Sequence, residues 1–97
     1  MGFDCSGYVQ YVFDNFGIDL PRTADEQFYL GSRISSQDAK PGDIVSFQSG
    51  GEISHTGIYL GGGRFISSTS SRGVAIAYVY GPYWGEHFNG FSRIIPQ

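Results

Sequence analysis

The chain has 97 residues and a formal net charge of −3, with hydrophobic residues at 40% and charged residues at 15%. This length suits one domain, and this balance is typical of a folded globular protein. The six basic residues are spread singly and no apolar run approaches the ~20 residues that cross a bilayer, so we expect neither nucleic acid nor a membrane as a partner.

Two helices are predicted near the start of the chain. Apolar residues recur at helical spacing over residues 4–16, where Asp4 is a good N-cap and Gly17 a good stop. A loop with a proline follows, and Thr23 then precedes a shorter predicted helix over residues 24–30.

The rest of the chain has the pattern of a β-structure. Strands are predicted, in chain order, over residues 43–47, 55–60, 64–68, 73–78 and, in part, 88–95. Residues 80–84 are predicted to be irregular or a short helical turn. Helices followed by strands predict an α+β domain, in which the N-terminal helices pack on an antiparallel β-sheet meander.

The single cysteine, Cys5, is a candidate nucleophile. One cysteine excludes an internal disulfide and a zinc site built on paired cysteines. Cys5 follows the predicted N-cap Asp4, so it lies in the first helical turn, where unpaired N–H groups stabilise a thiolate. Its neighbours Ser6 and Gly7 are small and leave room for a substrate. A nucleophile is therefore favoured over a buried structural thiol, which stays open as an alternative.

A cysteine nucleophile needs a base, and the chain has two histidines. His55 is predicted to begin a strand, from which it can project into a cleft beside a helix N-terminus, as in papain-like enzymes. His87 lies among aromatic residues near the end of the chain, where a surface or packing role fits better. Cys5 and His55 are the predicted catalytic pair.

Five motifs in chain order resemble the NlpC family of peptidoglycan endopeptidases. They are Asp4-Cys-Ser-Gly, Leu20-Pro-Arg-Thr, Pro41-Gly-Asp, His55-Thr-Gly-Ile-Tyr-Leu-Gly, and an ending with Tyr83-Trp84 and Arg93. The resemblance implies a minimal papain-like fold that cleaves peptidoglycan stem peptides, typically between γ-D-glutamate and the following diamino acid, without metal or cofactor.

The resemblance also implies roles for individual residues. The thiolate attacks the carbonyl, the backbone N–H of Cys5 helps to hold the oxyanion, and His55 protonates the departing amine. Asp4 and Ser6 help to bind the substrate on its acyl side. Arg22 borders the cleft, although a loop arginine paired with a carboxylate is an equally good interpretation. Asp43 is interpreted as a turn residue.

The chain departs from the family at two points. The family places a third polar residue, usually His, beside the catalytic His, and the matching residue here is Ser67. Because a serine side chain is short and neutral, we expect it to reach His55 only through water. We therefore predict that Ser67→His or Ser67→Asn raises the hydrolysis rate and that Ser67→Ala changes it little. The family also has a segment before the Asp-Cys motif, which we expect the single catalytic domain, residues 1–97, to lack.

The sequence thus predicts a cysteine endopeptidase whose partner is a stem peptide or muropeptide. Two alternatives stay open: a weakly active or inactive peptidoglycan-binding module of the same fold, and a related N-acetylmuramoyl-L-alanine amidase. We expect a secreted, periplasmic, cell-wall-associated or phage-delivered protein, although this sequence shows no signal peptide.

Overall fold

The computed structural model describes residues 3–95, which form one antiparallel sheet with helices. The helices are α1 (Cys5–Asp14), α2 (Ala24–Leu30) and α3 (Trp84–His87). The strands are β1 (Ser32–Ile34), β2 (Ile44–Ser49), β3 (Glu52–Gly61), β4 (Arg64–Thr69), β5 (Gly73–Tyr78) and β6 (Phe88–Arg93). The predicted α+β class is confirmed. Within the described residues no helix is long and apolar enough to cross a membrane.

The sheet order is β1-β6-β2-β3-β4-β5. Strands β2 to β5 form the predicted meander, because each pairs with the next along the chain. The last strand does not extend this meander: β6 returns to pair with β2, and β1 pairs with β6 at the edge. Strand β1 was not predicted, because its three residues are too few to show an alternating pattern.

The turn between β2 and β3 is tighter than the sequence suggested, and this changes the position of His55. Gly50 and Gly51 have φ values of 63° and 84°, which suit a two-residue hairpin turn. The strands therefore extend almost to the turn, and β3 begins at Glu52. His55 lies inside β3, opposite Phe47, and not at the beginning of a strand as predicted.

Apolar residues pack on both faces of the sheet. One cluster lies between α1 and the sheet and contains Val9, Phe13, Leu20, Ile44 and Ile58. The other cluster contains Val45, Phe47, Tyr59, Phe65, Val79 and Phe91, with Trp84 and Phe88 packed against it. Because both clusters include residues of β2 and β3, these strands hold α1 and α3 in fixed positions.

The N-terminus of α1 is capped as the sequence predicted. An Oδ1 atom of Asp4 accepts a hydrogen bond of 2.7 Å from the N–H of Gly7. A Cβ atom at Gly7 would lie only 2.5 Å from that oxygen, so this cap depends on a glycine. The cap fixes Cys5 as the first residue of the helix.

Candidate active site

Cys5 and His55 line the same cleft, which has a volume of about 840 Å³. Its walls are the N-terminus of α1, the end of β4 with the turn after it, and the pair Tyr83 and Trp84. The hydroxyl of Ser68 donates a hydrogen bond to the carbonyl of Phe3, which holds the chain before α1 against β4. Cys5 is partly exposed and not disulfide-bonded, so its thiol can meet a ligand in this cleft.

Ser67 contacts the ring of His55 directly. The Oγ atom of Ser67 lies 2.9 Å from Nε2 of His55, so the expectation of a water-mediated contact was wrong. The reason is the close approach of β3 and β4 at Gly57. A Cβ atom at Gly57 would lie 3.0 Å from the Cβ of Ser67 and 2.8 Å from the ring of Phe65. A glycine at this position lets the short serine side chain reach its partner.

The position of Ser67 leaves the other ring nitrogen of His55 available. Within residues 3–95, Ser67 is the only hydrogen-bond partner of the His55 ring. A serine hydroxyl can both donate and accept a hydrogen bond. It can therefore accept from Nε2–H in the neutral tautomer whose Nδ1 is free to take a proton. It can also accept from Nε2–H in the imidazolium form. Ser67 therefore suits a histidine that cycles between neutral and protonated states.

Aromatic rings enclose His55 and change its titration. Trp84 stacks on the imidazole with 4.6 Å between ring centroids and 30° between planes. Phe47 and Phe65 lie at centroid distances of 6.1 and 6.5 Å from it. Burial among these rings disfavours the charged imidazolium and lowers the pKa of His55 to about 4. The imidazole is therefore neutral at pH 7 and able to accept a proton.

Asp4, Ser6 and Arg22 form a polar group beside Cys5. Arg22 donates from Nη1 to Oγ of Ser6 and from Nη2 to Oδ2 of Asp4, both at 2.9 Å. The hydrogen bond from Arg22, followed by that from the N–H of Gly7, lowers the pKa of the Asp4 carboxyl. The side chains of Arg22 and Asp4 are 57% and 58% exposed, so this pair contributes little to stability. Arg22 thus pairs with a carboxylate, as one interpretation expected, whereas the walls of the cleft include Asp4 but neither Arg22 nor Ser6.

Two other residues singled out in the sequence have structural roles. Asp43 is 1% exposed and accepts hydrogen bonds of 2.8 Å from Nε and Nη2 of Arg93. This ion pair joins β6 to the residue before β2, which explains Arg93 in the terminal motif. His87 contacts the carbonyl of Gln48 through Nδ1 at 3.0 Å, as expected for a packing role. Among residues 3–95, no group of three His, Cys, Asp or Glu side chains could hold a metal ion.

The aromatic surroundings of His55 were not predicted from the sequence. Phe47 could have been identified from the hairpin, because a turn at Gly50 and Gly51 places it opposite His55. Trp84 belongs to the terminal motif, but its contact with His55 was not predictable, because α3 reaches the histidine only through the packing of the folded chain. The turn after β4, which lines the cleft, also gave no signal beyond its polar composition.

The chain matches known proteins over almost its whole length. The family model described as NlpC/P60 family matches residues 1–93. A probable endopeptidase p60 from Listeria monocytogenes is 48% identical over 92 residues, which are 95% of this chain and 19% of that protein. A gamma-DL-glutamyl hydrolase from Bacillus subtilis is 47% identical over 95% of this chain and 23% of its own length. The chain therefore spans about a fifth of these curated relatives.

Solved structures share the fold. An NlpC/P60 family protein from Bacillus cereus has a TM-score of 0.91 at 31% identity, over 98% of this chain and 32% of that one. RipD from Mycobacterium tuberculosis, described as a non-catalytic NlpC/p60 domain protein adapted to peptidoglycan binding, has a TM-score of 0.82 at 25% identity, over 98% of this chain and 69% of that one. The motifs, the sheet topology and the match over residues 1–93 agree, and the chain belongs to the NlpC/P60 family.

Proposed function

We propose that this chain is the catalytic domain of a cysteine endopeptidase that hydrolyses peptidoglycan stem peptides. The observation that carries the proposal is the shared cleft of Cys5 and His55, together with the hydrogen bond that Ser67 makes to Nε2 of His55. A thiol at a helix N-terminus and a neutral imidazole with one free nitrogen are the two groups that acyl transfer to sulfur requires.

The proposed reaction uses these groups in two steps. His55 takes the thiol proton on Nδ1, and the thiolate of Cys5 attacks the peptide carbonyl. The backbone N–H of Cys5 stabilises the oxyanion, and the C–N bond then breaks as His55 returns the proton to the amine. Water, deprotonated by His55, next attacks the thioester. The products are a carboxylic acid and the free thiol.

The thiolate, once formed, stabilises the protonated form of His55. Burial alone lowers the pKa of His55 to about 4, so the imidazolium is costly when its neighbours are uncharged. A negative sulfur in the same cleft stabilises the imidazolium by Coulomb attraction in a site of low dielectric. The imidazole is therefore neutral before the reaction, and it takes up its proton as the thiolate forms.

The scissile bond that we propose is the one between γ-D-glutamate and the diamino acid. One relative is named a gamma-DL-glutamyl hydrolase, which supports hydrolysis of a γ-glutamyl bond. Another is named a probable endopeptidase p60, which supports cleavage within a peptide. We further propose that Asp4, which lines the cleft beside Cys5 and is bonded to Arg22, borders the acyl part of the substrate. Arg22 and the hydroxyl of Ser6 can hold a carboxylate, while Asp4 can hold an amine.

Mass spectrometry of muropeptides after incubation with the protein tests this proposal. We expect fragments that end in γ-D-glutamate and fragments that begin with the diamino acid. Cys5→Ala should abolish both products and keep the fold, because Cys5 lies in the first turn of α1 and outside both core clusters. Release of an intact stem peptide from the glycan would instead identify an amidase, and product formation by Cys5→Ala at the parent rate would exclude the thiol mechanism.

A peptidoglycan-binding module is the second candidate. It is favoured by RipD, the relative described as non-catalytic, and by a serine at the third position of the site. Such a module would bind muropeptides with the same affinity in the parent chain and in Cys5→Ala, and neither would release fragments. Either function predicts a protein that acts in the cell envelope, and we propose that location for the chain.

A further inference from the structure

A second cavity adjoins the cleft and extends it along β4 and β5. It has a volume of about 330 Å³ and shares Thr69, Ser71 and Trp84 with the cleft. Its remaining walls include Ser67 and small residues of β5 such as Ala75. Short side chains at these positions leave room for a ligand group that continues beyond His55.

Arg72 is the one charged residue that lines this cavity within the described part of the chain. Its guanidinium forms no ion pair or hydrogen bond with residues 3–95, whereas Arg22 and Arg93 are each bonded to a carboxylate. The turn that carries it is fixed, because the N–H of Arg72 donates to Oγ1 of Thr69 at 3.0 Å. The cavity therefore holds an arginine whose hydrogen-bonding groups are available to a ligand.

The chemistry of the cleft assigns a direction to the substrate. In the proposed reaction the acyl part would bind toward the N-terminus of α1, where Asp4 and Cys5 line the cleft. The departing amine must lie beside His55, because His55 gives it a proton. Ser67 and Trp84 contact the ring of His55 and also line the second cavity. The part of the substrate that follows the scissile bond would therefore lie in this cavity.

We propose that the second cavity binds the diamino acid of the leaving group and that Arg72 selects a diamino acid whose side chain ends in a carboxylate. This inference rests on the proposed endopeptidase function. Diaminopimelate carries a carboxylate and an ammonium at the far end of its side chain, whereas lysine carries an ammonium alone. A guanidinium forms a bidentate, charge-assisted bond with a carboxylate and repels an ammonium.

The test compares two synthetic peptides, L-Ala-γ-D-Glu-diaminopimelate and L-Ala-γ-D-Glu-L-Lys. For the parent chain we expect kcat/KM to be about tenfold higher with diaminopimelate, which is the effect of one hydrogen bond to a charged group. Arg72→Gln should reduce this preference to about twofold or less, and Arg72→Glu should favour lysine. The matched control is Arg64→Gln, which removes the same charge from an exposed residue that lines neither cavity.

Binding measurements separate this inference from the proposed function. The dissociation constants of both peptides for Cys5→Ala should show the same preference, and Cys5→Ala with Arg72→Gln should lose it. An Arg72-dependent preference in binding without any hydrolysis by the parent chain would refute the endopeptidase and support the cavity assignment. Equal preference in the parent chain, Arg72→Gln and Arg64→Gln, in hydrolysis and in binding, would overturn the role of Arg72.

Discussion

Replacement of Ser67 by alanine is expected to lower kcat/KM for muropeptide hydrolysis about tenfold. The substitution removes the hydroxyl that lies 2.9 Å from Nε2 of His55 and leaves Cys5 and its backbone N–H unchanged. The ring would lose the partner that selects its tautomer and fixes its angle in the cleft. Activity should fall without ending, since the nucleophile and the oxyanion donor remain.

The magnitude follows from the environment of the bond. A net hydrogen bond contributes about 0.5–1.5 kcal/mol, and a buried partner left unsatisfied costs about 1–3 kcal/mol. Ser67 is 2% exposed but lines the second cavity, so a water there can replace part of the lost hydrogen bond, and the lower end of this range applies. Trp84 and Phe47 continue to hold the ring, which limits the loss. About 1.4 kcal/mol in the barrier corresponds to a tenfold change in rate.

The assay needs a control for the loss of a buried hydroxyl as such. Ser92 supplies it, because it is 0% exposed and its Oγ donates a hydrogen bond of 2.7 Å to the carbonyl of Phe28, away from the cleft. We expect Ser67→Ala and Ser92→Ala to lower the melting temperature by similar amounts and only Ser67→Ala to lower kcat/KM. Parent-like kcat/KM for Ser67→Ala, or an equal loss for both variants, would refute the reasoning.

The direct contact reverses the sequence-based predictions for both Ser67→Ala and Ser67→His. Only 2.9 Å separates Oγ of Ser67 from the ring of His55, so an imidazole built on the same Cβ would displace His55 or Trp84. We therefore expect no gain in rate from Ser67→His and a lower melting temperature. A faster Ser67→His variant would show that the site tolerates a larger third residue and that serine limits the parent enzyme.

Three further predictions concern the remaining groups of the site. An electrophilic thiol probe at pH 7 can label only Cys5, the single cysteine, and His55→Ala should slow labelling by tenfold or more while His87→Ala leaves it unchanged. Trp84→Ala should raise the pKa of His55 from about 4 toward 6.5, as followed by NMR titration of the ring, whereas Tyr83→Ala, which is 63% exposed, should not. The folded state binds the His55 proton less tightly than the unfolded state does, so neutral His55 should contribute its full share to the free energy of unfolding above pH 6.5. The free energy of unfolding should then fall by at most about 3 kcal/mol as the pH drops to about 4. Denaturant titrations should find a smaller loss in His55→Ala.

Most of the site was accessible from short stretches of sequence. The position of Cys5 follows from Asp4 alone, because a capping residue marks the first turn of a helix before the fold is known. The motif order then selected His55 over His87 and identified the matching third residue as Ser67. These assignments depend on local chemistry and on spacing, which the chain carries without its tertiary contacts.

Strand positions were predicted better than strand pairing. Alternating patterns gave the strands from residue 43 onward, because side chains in a strand alternate between two faces. The pairing of β6 with β2 joins residues far apart in the chain, and no local pattern encodes such a pair. Because the turn at Gly50 and Gly51 is tight, β3 begins at Glu52 and not at His55 as predicted, so His55 lies in the interior of the strand.

The sequence by itself predicted Cys5 and His55 as the catalytic pair and, apart from β1, the order of the helices and strands, because capping, periodicity and motif spacing are local properties. Only the tertiary structure decided how the base is held. The distance from Ser67 to His55 depends on how closely β4 approaches β3 at Gly57, and the cover over the ring depends on α3 folding back to stack Trp84 on it. Both distances join segments that are far apart in sequence, and they are fixed only when the two core clusters pack against the faces of the sheet.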